Sequence, residues 1–322
     1  LLTGGLVFLL TFQLGGHVCR QDAALARGSL ALLVAGLWLL HPLQVSTVLY
    51  IVQRMTQLST LFVLAGLVCY VRGRLIQEQS RAWGWLLIGL GFLVFYPLGI
   101  LSKENAVLLP VFMLAIEMTL FRFRSAAGAT DKTISVFFLL TVALPAVLVT
   151  LLLIFRPETF LNYSGRGFTL AERLLTEGRV LVFYLQMIIM PSIQELGLYH
   201  DDFSISRSLL DPPATLYSLL FLGGLLLLAL LMLGRRPLIS LGIIWFFIGH
   251  SLESSIFPLE IAHEHRNYLA DYGILLALGG AQLLRATMFR GETTPFLMEL
   301  PPYRMPTAVS LLVQMWTRAW LY

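Results

Sequence analysis

The side chains able to do chemistry in this chain gather in a few short stretches. The richest runs from Glu253 to Tyr268 and holds Glu253, Glu260 and the run His263-Glu264-His265-Arg266-Asn267-Tyr268. Arg266 offers a planar fork suited to a phosphate, and Glu264 or a neighbouring histidine could move a proton. Glu253 and Glu260, seven apart, share a face if the helix before them continues, and His250 lies three residues from Glu253. The His-x-His spacing matches no specific zinc pattern. No metal site and no cofactor are therefore assigned, though a divalent cation stays open as a ligand. The competing reading is an ordered loop pinned by its own hydrogen bonds.

Other stretches are shorter. Ser102-Lys103-Glu104 sets an ammonium beside a carboxylate, fit for a ligand phosphate or proton transfer, or else for a local ion pair capping the next helix. His41-Pro42 reads as a helix terminus. Arg54 lies between two apolar stretches, where a guanidinium could grip a phosphate. Tyr199-His200-Asp201-Asp202 could share a proton, bind a divalent cation or hold sugar hydroxyls, or could be a solvated acidic turn. Arg156, Arg166, Arg173 and Arg179 precede an apolar stretch, Val180–Met190, too short to cross a bilayer. That arrangement suits an interfacial helix facing anionic headgroups.

The elements that must position these groups are membrane helices. Hydrophobic residues make up 57% of the chain and charged residues 12%, about half the charged share of a soluble domain. With a mean hydropathy of +0.80, water cannot solvate the folded chain, and uncharged runs such as Ile134–Phe155 favour helices over barrel strands. Spans of about twenty residues fit near Leu1–Leu14, Arg27–Gln44, Met55–Val71, Trp83–Leu101, Asn105–Phe121, Thr133–Phe155, Ala214–Leu233, Leu238–Leu252, Tyr272–Leu284 and Met305–Trp316. The expected fold is thus an all-α polytopic bundle of about ten spans, with extracytoplasmic loops and one short interfacial helix.

Alternating the spans sorts the loops. Arg20 and Arg27, Arg72 to Arg81, Arg122 to Lys132, Arg235-Arg236, and Arg285 with Arg290 fall in short basic loops, which read as cytoplasmic. Most of the His and acidic residues lie on the other side. The net charge of +4 is modest, and two cysteines suggest no disulfide framework. Leu1 begins inside an apolar stretch, so the chain reads as a fragment of a longer protein.

Four segments in this order, His41–Arg54, Leu101–Ala106, Tyr199–Phe203 and Glu264–Leu269, resemble bacterial relatives of the transmembrane-and-tetratricopeptide-repeat O-mannosyltransferases. These are multispanning glycosyltransferases of the GT-C type. The resemblance runs from about His41 to Leu284. It implies a GT-C-like domain over 1–290 and a poorly matched segment, 291–322, holding a last span. Tetratricopeptide repeats would be expected beyond it, and none is present.

The resemblance further implies a polyprenyl-phosphate-linked sugar donor and a protein Ser/Thr or other extracytoplasmic acceptor. The active site would face the outside of a bacterial cytoplasmic membrane, with no nucleic acid involved. Arg54, Lys103 and Arg266 would then stabilise the departing phosphate. The family's catalytic carboxylate belongs to a first outer loop that this chain starts too late to contain, which leaves Glu104, Asp201, Asp202 and Glu264 as fallback bases. His41, His200, Glu253, His263, His265, Asn267 and Tyr268 would complete the polar site. One departure is visible: Ala270-Asp271 stands where relatives usually have proline. Two competing functions stay open: a transporter or lipid flippase, with charges lining a pathway, and a polysaccharide ligase or polymerase.

Overall fold

The computed structural model describes residues 1–18, 24–125, 128–197, 200 and 203–288. By packing, the chain divides into two units, Leu1–Arg285 and Ala286–Tyr322. The second lies almost wholly outside the described residues, and the helical bundle is the first.

Among the described residues there are helices and no strand. They are α1 (Leu2–Val18), α2 (Ala24–Leu40), the short α3 (Gln44–Leu49), α4 (Ile51–Ile76), α5 (Arg81–Ser102), α6 (Glu104–Phe121), α7 (Lys132–Phe155), α8 (Leu170–Ile189), α9 (Ala214–Met232), α10 (Pro237–His250) and α11 (Asn267–Met288). Five of them, α4, α5, α6, α7 and α9, are long and apolar enough to cross a membrane, and α1, α2 and α10 are apolar but shorter. The expectation of about ten spans thus holds in its coarser form, a multispanning helical bundle. The stretch Met305–Trp316 lies outside the described residues.

Burial separates the helices by role. More than half of the apolar window of α4 and of α6 is buried, against 6% of that of α7. On α7 the side chains of Val147, Leu148, Leu151, Leu152 and Ile154 all point out of the protein. A continuous apolar face of that size is stable only against lipid. The core runs between α4, α6, α10 and α11 and includes Leu64, Tyr70, Phe112, Trp245 and Tyr272. The Phe112 and Trp245 rings lie 4.3 Å apart.

Close backbone contact fixes two of the interfaces. Gly66 and Gly73 on α4 face Gly91 and Gly84 on α5, and a Cβ at any of them would run into the facing backbone. The same is true of Gly242 on α10 against Gly273 on α11. Small residues that let backbones touch are the usual way for membrane helices to gain contact, since lipid offers no hydrophobic drive between them. Helices α5 and α7 each widen into a π turn, at Gly91–Phe95 and Leu139–Ala143. These turns lie just ahead of Pro97 and Pro145, whose missing N–H groups disrupt the regular ladder.

Two elements differ from their sequence reading. The short apolar stretch expected at Val180–Met190 is the second half of a longer helix, α8, which begins at a capping box made by Thr169 and Glu172. Its buried face carries Arg173 and Glu177 together with Val180, Tyr184 and Ile188. Helix α10 stops at His250, so Glu253 and Glu260 do not share a helical face. Each has its own partner.

Candidate functional site

The loop from Ser251 to Arg266 folds over one end of the bundle, against the α5–α6 junction and α8. Lys103 sits at that junction in extended conformation, where α5 has ended and α6 has not begun. Its Nζ lies 2.8 Å from Glu253 Oε1, with both side chains almost fully buried. Arg173, reaching from α8, donates to the carbonyls of Glu253 (2.8 Å), Ser255 (3.0 Å) and Leu259. It also pairs with Glu177 one turn along its own helix at 2.9 Å. Arg266 donates to the carbonyls of Ile261 (2.9 Å) and Glu260 (2.7 Å), and stands 3.9 Å from Glu177.

The remaining polar groups tie loops together. Glu264 accepts a hydrogen bond from the Gly197 amide at 2.6 Å and lies 3.6 Å from His200. The His263 and His265 rings stack at 5.1 Å. The Tyr184 hydroxyl accepts from the His263 amide and donates to its carbonyl. Asn267 donates to the Glu264 carbonyl, and the Tyr268 carbonyl accepts from Trp38 Nε1 at 3.0 Å. His41 Nδ1 accepts from the Leu43 amide, so its Nε2 carries the proton and donates to the Ile188 carbonyl at 2.9 Å.

Burial and charge set the protonation of these groups in opposite directions. Burial pushes the Glu253 carboxyl up, but Lys103 and Arg266 outweigh it and hold the group at about 2. Glu177 is also buried, and there Arg173 and Arg266 only partly offset desolvation, leaving it at about 7. Burial, with Lys103 beside it, holds His265 near 3, and burial lowers His41. These histidines are neutral at physiological pH.

A small cavity of about 20 Å³ lies beneath the loop, lined by Thr56, Ser59, Lys103, Asn105, His265 and Arg266 among others. That is room for about one water molecule. Of the sequence candidates, the fold brings Lys103, Glu253, Glu264, His265, Arg266 and Asn267 together. Arg54 and Glu104 are exposed and line no part of this cavity. Asp201 and Asp202 lie outside the described residues. Arg166 and Arg179, expected to face headgroups, bind Glu260 and Ser204 respectively.

Sequence reasoning missed Glu177, although its spacing from Arg173, one helical turn, was a usable signal. It also missed a second group of buried oxygens. Gln44 Nε2 donates to Asp271 Oδ2 at 2.7 Å. Gln44 Oε1 and Asp271 Oδ1 beside it, and Thr47 Oγ1 elsewhere on α3, are buried without a hydrogen-bond partner. Gln44 and Thr47 are three apart on α3, and Asp271 opens α11. Among the described residues no three His, Cys, Asp or Glu side chains converge as a metal site would require.

A family model described as ferrous iron transport protein B C terminus matches residues 269–318. Among curated proteins, the chain is similar to the Fe(2+) transport protein A/Fe(2+) transporter FeoB fusion protein of Porphyromonas gingivalis. That match is 56% identical over 50 residues, which is 16% of this chain and 6% of that protein. It is similar also to the Fe(2+) transporter FeoB of Escherichia coli, 48% identical over 46 residues, and of Salmonella typhimurium, 46% identical over 46 residues. Each of these covers 14% of this chain and 6% of the relative. The chain therefore spans a small fraction of the length of the relatives it matches. No solved structure matches.

These matches overturn the resemblance to O-mannosyltransferases, and with it the GT-C enzyme reading. The polyprenyl-phosphate sugar donor, the protein or glycan acceptor, the expected tetratricopeptide repeats and the outward-facing active site fall too. The physical reason lies in what the quoted segments do. His41 ties α2 to α8, Lys103 answers Glu253, and Arg266 holds its own loop by carbonyls. Polar residues at span junctions are needed by any multispanning bundle, so their order along the chain is weak ground for a reaction.

Proposed function

We propose that this chain is a bacterial membrane protein that takes part in moving ferrous ions across the cytoplasmic membrane. The observation that carries this reading is the family match over residues 269–318. It begins on α11, at the foot of the Gln44–Asp271 group, and runs on past the described residues. The long apolar helices supply a scaffold in contact with lipid. The short basic loops favour placing that end of the bundle in the cytoplasm, with α1, α2, α10 and α11 completing the spans beyond the five long ones.

Within the described part of the matched stretch, Asp271 is the acidic side chain. Its partnerless Oδ1, with Gln44 Oε1, offers oxygen donors of the kind divalent first-row ions accept. The Lys103–Glu253–Arg266 cluster is unsuited to that task, because its carboxylates are already answered by cations.

The test is uptake of Fe²⁺, kept reduced, into liposomes that contain the full chain and a trapped iron-sensitive dye. The expected result is entry well above that of protein-free liposomes. Asp271→Asn removes one oxygen contact to the ion worth roughly 1.5 kcal/mol, and should slow entry about tenfold. If the wild-type chain admits no more iron than empty liposomes, the transport reading is wrong.

A further inference from the structure

The other end of the bundle holds a cavity of about 600 Å³, between the ends of α4, α6 and α7. Its lining is unlike that of the polar loop: Arg74, Arg81, Arg124 and Lys132 supply cations, Glu78 and Asp131 carboxylates, and Leu75 and Phe121 an apolar wall. These charges are not equally available. Arg74 is consumed by Glu117, at 2.9 Å, and by the Arg124 carbonyl. Asp131 caps α7 by accepting from the Thr133 amide, and Arg74 and Arg81 stand 3.8 and 3.9 Å from it. Arg81 also donates to the Thr133 hydroxyl.

What is left is Arg124 and Lys132, both exposed, with no hydrogen bond or ion pair to either side chain from the described residues. Among those residues, Glu78 is the one carboxylate in the lining that no cation answers. We infer that this cavity binds a phosphate-bearing anion, gripped by Arg124 and Lys132 with Arg81 at the edge. Three features support it: two unspent cations on one cavity, an apolar wall beside them, and a floor held rigid by the buried Arg74–Glu117 pair. A guanidinium and an ammonium together suit phosphate oxygens, the first by its fork and the second as a point charge. Because the cavity opens where the helices end, the phosphate could come from a lipid headgroup or from solution. The inference does not depend on iron transport.

The experiment uses the full chain in two settings. In lipid nanodiscs, thermal unfolding is compared between pure phosphatidylcholine and a mixture with phosphatidylglycerol. In detergent, inorganic phosphate is titrated by calorimetry. Binding in the first setting alone identifies a headgroup, and binding in the second identifies a soluble anion; either supports the inference provided the variants agree. Arg124→Gln with Lys132→Gln should weaken binding about fivefold, taking each exposed contact as worth about 0.5 kcal/mol. Glu78→Gln should tighten it. Arg72→Gln with Arg235→Gln, exposed cations elsewhere, should leave it unchanged. If the paired variant proves poorly folded, Lys132→Gln alone should show about a twofold loss on the same scale. The inference is overturned if neither probe binds, if Arg124 and Lys132 can be removed without effect, or if the Arg72 and Arg235 control weakens binding equally.

Discussion

Two buried ionic clusters stand at opposite ends of this bundle, and they are built on different terms. At the basic end, Arg74 and Glu117 leave none of their own polar atoms idle, while Gln77 Nε2 beside them is buried without a partner. Glu117 Oε2 accepts from the Tyr70 hydroxyl at 2.5 Å and from Arg74 Nε at 3.0 Å, and Oε1 accepts from Arg74 Nη2 and the Phe123 amide. Arg74 spends its last nitrogen on Gln77. The carboxylate even serves the backbone, which turns left-handed at Arg122 and Phe123 (φ of 55° at both) as α6 ends.

At the polar end the account does not close. Glu253 Oε2, both carboxylate oxygens of Glu177, His250 Nε2, Ser254 Oγ and Asn267 Oδ1 are buried and only loosely paired, with Ser254 beside Glu177, Asn267 beside His250 and Asn105 beside Glu253. Arg173 meets Glu177 as an ion pair, at an angle that makes no hydrogen bond. A fully satisfied network holds one arrangement, and a partly satisfied one leaves others within reach. The basic end is a fixed joint, and the polar end is held less tightly.

The comparison can be broken most directly at the joint. Glu117→Gln leaves Arg74 charged and buried without its nearest counterion, with only Asp131 at 3.8 Å, and should cost about 3–5 kcal/mol of stability, read from unfolding in detergent. A loss below about 1 kcal/mol would place that pair with ordinary surface ion pairs and end the contrast.

The second effect is on the acid limb of stability. Glu253 is held at about 2 in the folded chain, below its ordinary value of 4.5. A carboxyl lowered in this way adds stability that is present above about 4.5 and is lost as pH falls towards 2, up to about 3 kcal/mol. Lys103→Met should therefore flatten stability between those pH values. An unchanged acid limb would show that Lys103 does not set the charge of Glu253.

The smallest effect has the opposite sign. Glu177 is raised to about 7, so the stability it lends is full below about 4.5 and is lost as pH rises through 7. Glu177→Gln should remove that decline and gain about 1–2 kcal/mol at pH 8. A variant less stable than wild type at pH 8 would mean that the ionised carboxylate is needed, and that the polar end is as settled as the basic one.

Much of the architecture was legible because lipid imposes long uncharged runs, and those runs mark the helices directly. Apart from Glu177, the ionisable members of the polar cluster were legible individually, most of them as groups at helix ends. Their pairing was not: Lys103 and Glu253 are 150 residues apart, and no local spacing announces such a contact. Arg74 read as one more basic loop residue because Glu117 lies 43 residues further on. The glycine pairs were legible in principle, since Gly66 and Gly73, like Gly84 and Gly91, repeat at seven residues.

The matched C-terminal stretch was passed over for a different reason. Beyond the span at Tyr272–Leu284, hydropathy registers only Met305–Trp316 there. The dense run Glu299-Leu300-Pro301-Pro302-Tyr303-Arg304 ahead of it is a matter of residue identity, which hydropathy does not weigh.

The backbone contact between Gly242 and Gly273 has a mechanical consequence. With no side chain between them, α10 and α11 cannot slide or tilt against each other without collision, so they act as a single lever. The segment carrying Glu253 and Arg266 hangs between the two arms of that lever, its ends fixed at a constant separation. Any change in its shape must be driven from across the gap, by Lys103 at the α5–α6 junction or by Arg173 and Glu177 on α8.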